Sequence, residues 1–182
     1  MMHLVLGGAR SGKSRHGLSL VADYVARGYE CLFVATAQGL DEEMRARIAR
    51  HREERRDDGL PWQTLECPLH LSACIETHAR EKRVILVDCL TLWLTNQLLE
   101  GDDWSVAKAA LLRALESAPG AVVLISNEVG CGVVPADPLS RRFVDEAGWL
   151  HQAIARRAQQ VVLVTAGLPL ILKDETSLGA RE

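Results

Sequence analysis

The sequence has no excess of positive charge. Its 182 residues carry 21 Lys+Arg against 24 Asp+Glu, a net charge of −3. A general nucleic-acid binder needs a basic surplus to match phosphates, so the charge argues against that class. Long apolar runs are also missing. Stretches such as Val84–Val87 and Ala121–Ile125 fall far short of the ~18 residues of a membrane-spanning helix. The opening Met1-Met2-His3-Leu4-Val5-Leu6 lacks the charged start and long apolar stretch of a secretion signal, and a cytoplasmic location is expected. The five cysteines (Cys31, Cys67, Cys74, Cys89, Cys131) are odd in number and form no C-x-x-C pair. That pattern argues against a disulfide framework or structural zinc. Cys31, Cys74 and Cys89 sit in apolar stretches and are expected as buried small hydrophobes. There are no repeats, linkers or low-complexity tracts. What is present, 48% hydrophobic and 25% charged residues, is ordinary globular composition. Residues 1–182 are expected to form a single domain, with a frayed tail from about Asp174.

Short apolar runs alternate with longer amphipathic ones, the pattern of stacked βα units. Strands are expected at Leu4–Leu6, Glu30–Ala35, Gln63–Glu66, Val84–Val87, Ala121–Ile125 and Val161–Thr165. Leu168–Leu172 reads as an edge strand weakened by Pro169. Helices are expected near 13–27, 41–55, 69–80, 90–99, 106–115 and 138–158. The fold class is α/β: a mostly parallel sheet with helices on both faces, in three layers.

Gly7-Gly8-Ala9-Arg10-Ser11-Gly12-Lys13-Ser14 matches G-x-x-x-x-G-K-[ST] in full, between an apolar strand and a helical pattern. Its glycines let backbone N–H groups turn inward around phosphate oxygens, at the positive end of a helix dipole. Lys13 is placed to reach the β- and γ-phosphates, and the Ser14 hydroxyl to ligate Mg²⁺. The chain therefore reads as a nucleoside-triphosphate binder of the P-loop, RecA-like type. Asp88 ends the apolar run Val84-Ile85-Leu86-Val87. A carboxylate there suits the second position of a Mg²⁺ site, and it also suits an N-cap for the helix that follows.

Residues 41–58 hold seven acids and six arginines, the composition of a solvated, salt-bridged helix. Met44, Ile48, His51 and Arg55 share one face at helical spacing, so His51 points the way of two apolar residues. It reads either as a buried, hydrogen-bonded histidine or as a nucleophile beside a triphosphate. Neighbouring arginines would keep the imidazole neutral, its nucleophilic form.

Taken together, these residues resemble the bifunctional adenosylcobinamide kinase/adenosylcobinamide-phosphate guanylyltransferase family of cobalamin biosynthesis. The resemblance rests on Gly7–His16, Val34–Gln38, Arg47–His51, Trp62–Glu66, Asp88–Thr91 and Asn127–Pro135, and runs from residue 2 to about 173. It implies phosphorylation of the corrinoid adenosylcobinamide by ATP or GTP. GTP then guanylylates the product through a covalent GMP-histidine, at His51, giving adenosylcobinamide-GDP and pyrophosphate. It implies nucleotide contacts from Gly7, Gly8, Ala9, Arg10, Ser11, Gly12, Lys13 and Ser14. Further contacts are implied for Val34, Ala35, Thr36, Arg52, Glu53, Glu54, Arg55, Glu66 and Asp88. Lys13 joins His51 as a catalytic residue, and Ser14 and Asp88 hold Mg²⁺. Glu66 could accept hydrogen bonds from guanine N1–H and N2–H₂; no N-K-x-D guanine motif is present. The resemblance also implies a homotrimer. The turn before Trp62 is longer than the family pattern, and His151 stands where that pattern has Asn. Two other readings remain at this stage: a P-loop small-molecule kinase without guanylyl transfer, and a non-enzymatic nucleotide-dependent switch.

Overall fold

The computed structural model describes residues 1–39, 42–57, 59–101 and 103–175, and their side chains except at 43, 44, 47, 51, 52, 54, 55 and 57. The chain opens with β1 (Met2–Gly7), α1 (Lys13–Ala26), β2 (Glu30–Ala35), α2 (Glu42–Asp57), β3 (Gln63–Glu66) and α3 (Leu71–His78). It continues with β4 (Arg83–Asp88), α4 (Leu90–Glu100), α5 (Trp104–Ser117) and β5 (Ala121–Asn127), and closes with α6 (Pro138–Arg157), β6 (Gln160–Thr165) and β7 (Leu168–Asp174). The seven strands form one sheet in the order β3-β2-β4-β5-β1-β6-β7. All pairings are parallel except β6 with β7.

The central strands are apolar throughout because both faces are covered. On β5, Val122 and Leu124 enter the core shared with α3, α4, α5 and α6, while Ala121, Val123 and Ile125 enter the core beneath α1. Burying each such Val, Leu or Ile contributes roughly 1.5–3 kcal/mol. The result is the three-layer α/β architecture expected from the alternation of runs.

Helix starts follow their caps. Asp103 accepts from the backbone N–H of Ser105 and Val106, so α5 begins at Trp104, earlier than its apolar pattern suggested. Asp137 caps α6 in the same way, with Pro138 in the first turn. β7 tolerates Pro169 because its outer side is a sheet edge, and it runs on to Asp174. The frayed tail expected beyond it falls at 176–182, outside the described residues. Ala166 and Gly167 turn β6 into β7, both with positive φ (53° and 79°).

All five cysteines are thiols. Cys31 and Cys89 are buried as expected, whereas Cys74 is half-buried. Its hydrogen bond with Cys67 holds the Cys67 thiol below its ordinary pKa and pushes that of Cys74 well up.

Candidate nucleotide site

The C-terminal ends of β1, β4 and β5 lie side by side, and the sequence motifs meet there. The loop after β1 turns through Arg10 (φ 56°) and Gly12 (φ 97°) into the first residue of α1. Gly7 has no room for a side chain. A Cβ there would stand 2.3 Å from Ser11 Oγ and 2.7 Å from the Val164 carbonyl oxygen. The Gly8 position is open by comparison, with nothing within 4 Å of such a Cβ. Gly167 N–H donates to the Ser11 carbonyl at 2.8 Å, so the β6–β7 turn braces the loop. Sequence reasoning missed this brace; its only local signal was a glycine ahead of Leu168-Pro169.

Lys13 is buried, and its ammonium donates to the Gly8 carbonyl at 3.0 Å. This arrangement holds a cation across the loop, where phosphate charge would be neutralised. Ser14 Oγ donates to Asp88 Oδ2 at 3.4 Å, joining two residues 74 positions apart. The N-cap of α4 is Cys89, without a side-chain cap bond. Asp88 therefore faces the phosphate loop, and the capping alternative is set aside.

Thr36 holds this end of the sheet together. Its hydroxyl donates to the Cys89 carbonyl at 2.7 Å and accepts from the Cys89 N–H at 2.8 Å. Asn96 Nδ2 of α4 bonds both the Thr36 and Pro68 carbonyls, at 2.9 and 3.0 Å. Val34 is fully buried, so any nucleotide contact there would be through its backbone. The Ala35 carbonyl is taken by Cys67 N–H at 2.7 Å. Glu66 ends β3 exposed, in register with Ala35.

Glu53 lies exposed on α2, and Ile48 is half-buried beside Gly39. His51, Arg52, Glu54 and Arg55 belong to the same helix, but their side chains lie outside the described residues, as do those of Met44 and Arg47. Among the described residues no cluster of three or more His, Cys, Asp or Glu could hold a metal.

β5 adds residues that no motif rule assigned. Ser126 and His151 form a buried hydrogen bond, Oγ to Nε2, at 2.8 Å. Burial lowers the His151 pKa against the opposing pull of Glu128. Asn127 N–H donates to Thr91 Oγ1 at 3.0 Å, and Glu128 N–H donates to the Gly7 carbonyl at 3.1 Å. The Asn127 side-chain oxygen Oδ1 is buried without a hydrogen-bond partner among the described residues, as is Ser11 Oγ.

A family model described as cobinamide kinase / cobinamide phosphate guanyltransferase matches residues 3–172. The bifunctional adenosylcobalamin biosynthesis protein CobP of Pseudomonas aeruginosa is 52% identical over 177 residues, covering 96% of this chain and 99% of that protein. The CobU proteins of Escherichia coli and Salmonella typhimurium are 38% and 39% identical, each over 95% of this chain and 100% of their own length. Among solved structures, the flagellar accessory protein FlaH of Methanocaldococcus jannaschii superposes with a TM-score of 0.54 at 16% identity, covering 97% of this chain and 79% of that one. That likeness is one of fold. The chain belongs to the cobinamide kinase/cobinamide phosphate guanyltransferase family, bifunctional enzymes of adenosylcobalamin biosynthesis.

Proposed function

We propose that this chain transfers a γ-phosphoryl group from ATP or GTP to the hydroxyl of adenosylcobinamide. It then transfers GMP from GTP to the resulting phosphate through His51. The observation that carries this reading is the meeting of Ser14 and Asp88 at the mouth of a complete phosphate loop, in a chain of this family. Two hard oxygens from Ser14 and Asp88 fit Mg²⁺, which keeps its other positions for phosphate oxygens and water. Bound there, the ion would offset charge on the phosphates.

Lys13 and the loop N–H groups orient the triphosphate and neutralise its charge. In the kinase step the substrate oxygen bonds to Pγ as the bond from Pγ to the bridging oxygen breaks, and the electron pair leaves with the diphosphate. In the second step a neutral His51 nitrogen bonds to Pα and pyrophosphate departs. A phosphate oxygen of the substrate then displaces the imidazole, so one hard transfer becomes two easier ones. Arg55 follows the histidine by four positions, the helical spacing at which residues are neighbours, and would bring a cationic group close to it. Glu66 would accept from the guanine edge.

A homo-oligomer, a trimer by resemblance, belongs to the same reading. β7 exposes Leu168, Leu170, Ile171 and Leu172 along the sheet edge, the kind of apolar edge that a partner chain covers.

The test is incubation with Mg²⁺ and GTP labelled at the α-phosphate, followed by denaturing electrophoresis. Wild-type protein should retain an acid-labile, alkali-stable label that His51→Ala loses, and γ-labelled GTP should leave no mark. A wild type that transfers the γ-phosphate but never takes α-label would leave a kinase alone.

A further inference from the structure

We propose that Cys67 and Cys74 form an oxidisable dithiol site, in which Cys67 attacks a small soluble disulfide and Cys74 closes the bond between the two side chains. The site lies beyond the nucleotide-transfer reading and does not depend on it.

The five thiols occupy three kinds of place. Cys31 and Cys89 are buried, Cys131 is exposed, and Cys67 and Cys74 are half-buried against the core that holds Leu71 and Ile75 of α3. The last two touch, with the Cys74 thiol donating to the Cys67 sulfur. Both backbones are pinned. Cys67 follows β3, and its N–H donates to the Ala35 carbonyl at 2.7 Å. Asn96 holds the Pro68 carbonyl at 3.0 Å, and Trp93 and Gln97 hold that of Leu69 at 2.9 and 2.7 Å. Cys74 sits in α3, where its N–H donates to the His70 carbonyl at 3.0 Å. Fixed elements thus hold the two sulfurs together, and a small side-chain movement brings them to bonding distance.

The surroundings of the two sulfurs divide the roles. A thiolate, not a thiol, attacks a disulfide. The Cys74 S–H and the His70 N–H both donate to the Cys67 sulfur and favour its thiolate, against the opposing effect of burial. Cys74 keeps its proton for as long as Cys67 carries that charge. With oxidised glutathione, the Cys67 sulfur bonds to one glutathione sulfur, and the other leaves as a thiolate with the electron pair. Cys67 is then neutral, and the charge that held the Cys74 proton is gone. Cys74 passes its proton to water, and its sulfur displaces the second glutathione from Cys67. Two protein thiols are oxidised to one disulfide, and one glutathione disulfide is reduced to two thiols. The new bond ties the residue after Glu66, at the end of β3, to α3.

The experiment treats the full chain with oxidised glutathione and maps its cysteines by mass spectrometry. Residues 57–80 form one tryptic peptide holding both cysteines. That peptide should lose two hydrogens and carry no glutathione, and dithiothreitol should restore it. The exposed Cys131 should carry glutathione as a mixed disulfide, which shows that the oxidant acted. Cys74→Ser should trap glutathione on Cys67, and Cys74→Ala repeats the trap in case the serine disturbs α3. Cys67→Ser should take up glutathione at Cys74 at least about fivefold more slowly. A peptide that keeps both thiols while Cys131 is modified overturns the proposal. So does a Cys67→Ser protein that reacts as fast as Cys74→Ser. Neither result bears on the α-label test of His51, so the two readings fail separately.

Discussion

Ser14 Oγ stands 3.4 Å from Asp88 Oδ2 and ties the first turn of α1 to the end of β4. A hydroxyl and a carboxylate so placed offer two of the oxygen ligands that Mg²⁺ takes beside a triphosphate. Asp88→Asn keeps the shape and removes the charge. Both half-reactions should slow by on the order of 10²–10³, and GTP affinity without metal should change little. Rates within tenfold of wild type, across a Mg²⁺ titration, would remove Asp88 from the metal site.

His51→Ala should separate the two activities. Covalent labelling by α-labelled GTP should vanish, because no other group is assigned to attack Pα, while phosphorylation of adenosylcobinamide stays within about tenfold, one unit of 1.4 kcal/mol. Loss of both activities together, in a variant that melts normally, would place His51 in nucleotide binding and not in group transfer.

Two adjacent glycines should behave differently. Gly7→Ala drives a Cβ against Ser11 Oγ and the Val164 carbonyl, at 2.3 and 2.7 Å. The loop must shift, at a cost of about 1–3 kcal/mol and a comparable loss of nucleotide affinity. Gly8→Ala meets no protein atom within 4 Å and should leave the melting temperature within about 1 °C, under the roughly 2–4 °C expected from 1 kcal/mol in a chain of this size. Equal melting temperatures for the two variants would contradict the packing around Gly7.

Stability should fall on acidification below neutrality. Burial depresses the His151 pKa in the folded chain, and His3 is lowered by burial in the same way. The unfolded chain binds protons on these rings from about pH 6.5 downward, where the folded chain still resists them. Stability is therefore fully present above that value. It declines as pH drops toward the folded pKa, by up to about 1.4 kcal/mol per pH unit for each ring. Denaturant melts at pH 5.5 and 7.5 should differ less for His151→Gln than for wild type. An identical pH dependence would show that the Ser126–His151 pair does not titrate on unfolding.

Much of the fold was legible because its signals are local. The Val84–Val87 run and the alternation of strands and helices follow from burial on both faces of a parallel sheet. The spacing G-x-x-x-x-G-K-S is itself the loop geometry. The start of α5 was harder to see, because Asp103 caps a turn whose apolar pattern begins later. β7 was half-legible: Pro169 argues against a strand until the strand is known to lie at an edge.

The sequence alone carried the phosphate-loop spacing, the residues expected to cradle phosphate, and the family pattern the chain follows, since each depends on neighbours a few positions apart. Only the tertiary structure decided that Asp88 faces Ser14 and that Gly167 braces Ser11. It also decided that Thr36 clasps Cys89 and that His151 pairs with Ser126. Those partners are distant in the chain, Thr36 and Cys89 by 53 positions. Strand order, and the alternation of side chains across each strand, bring them together.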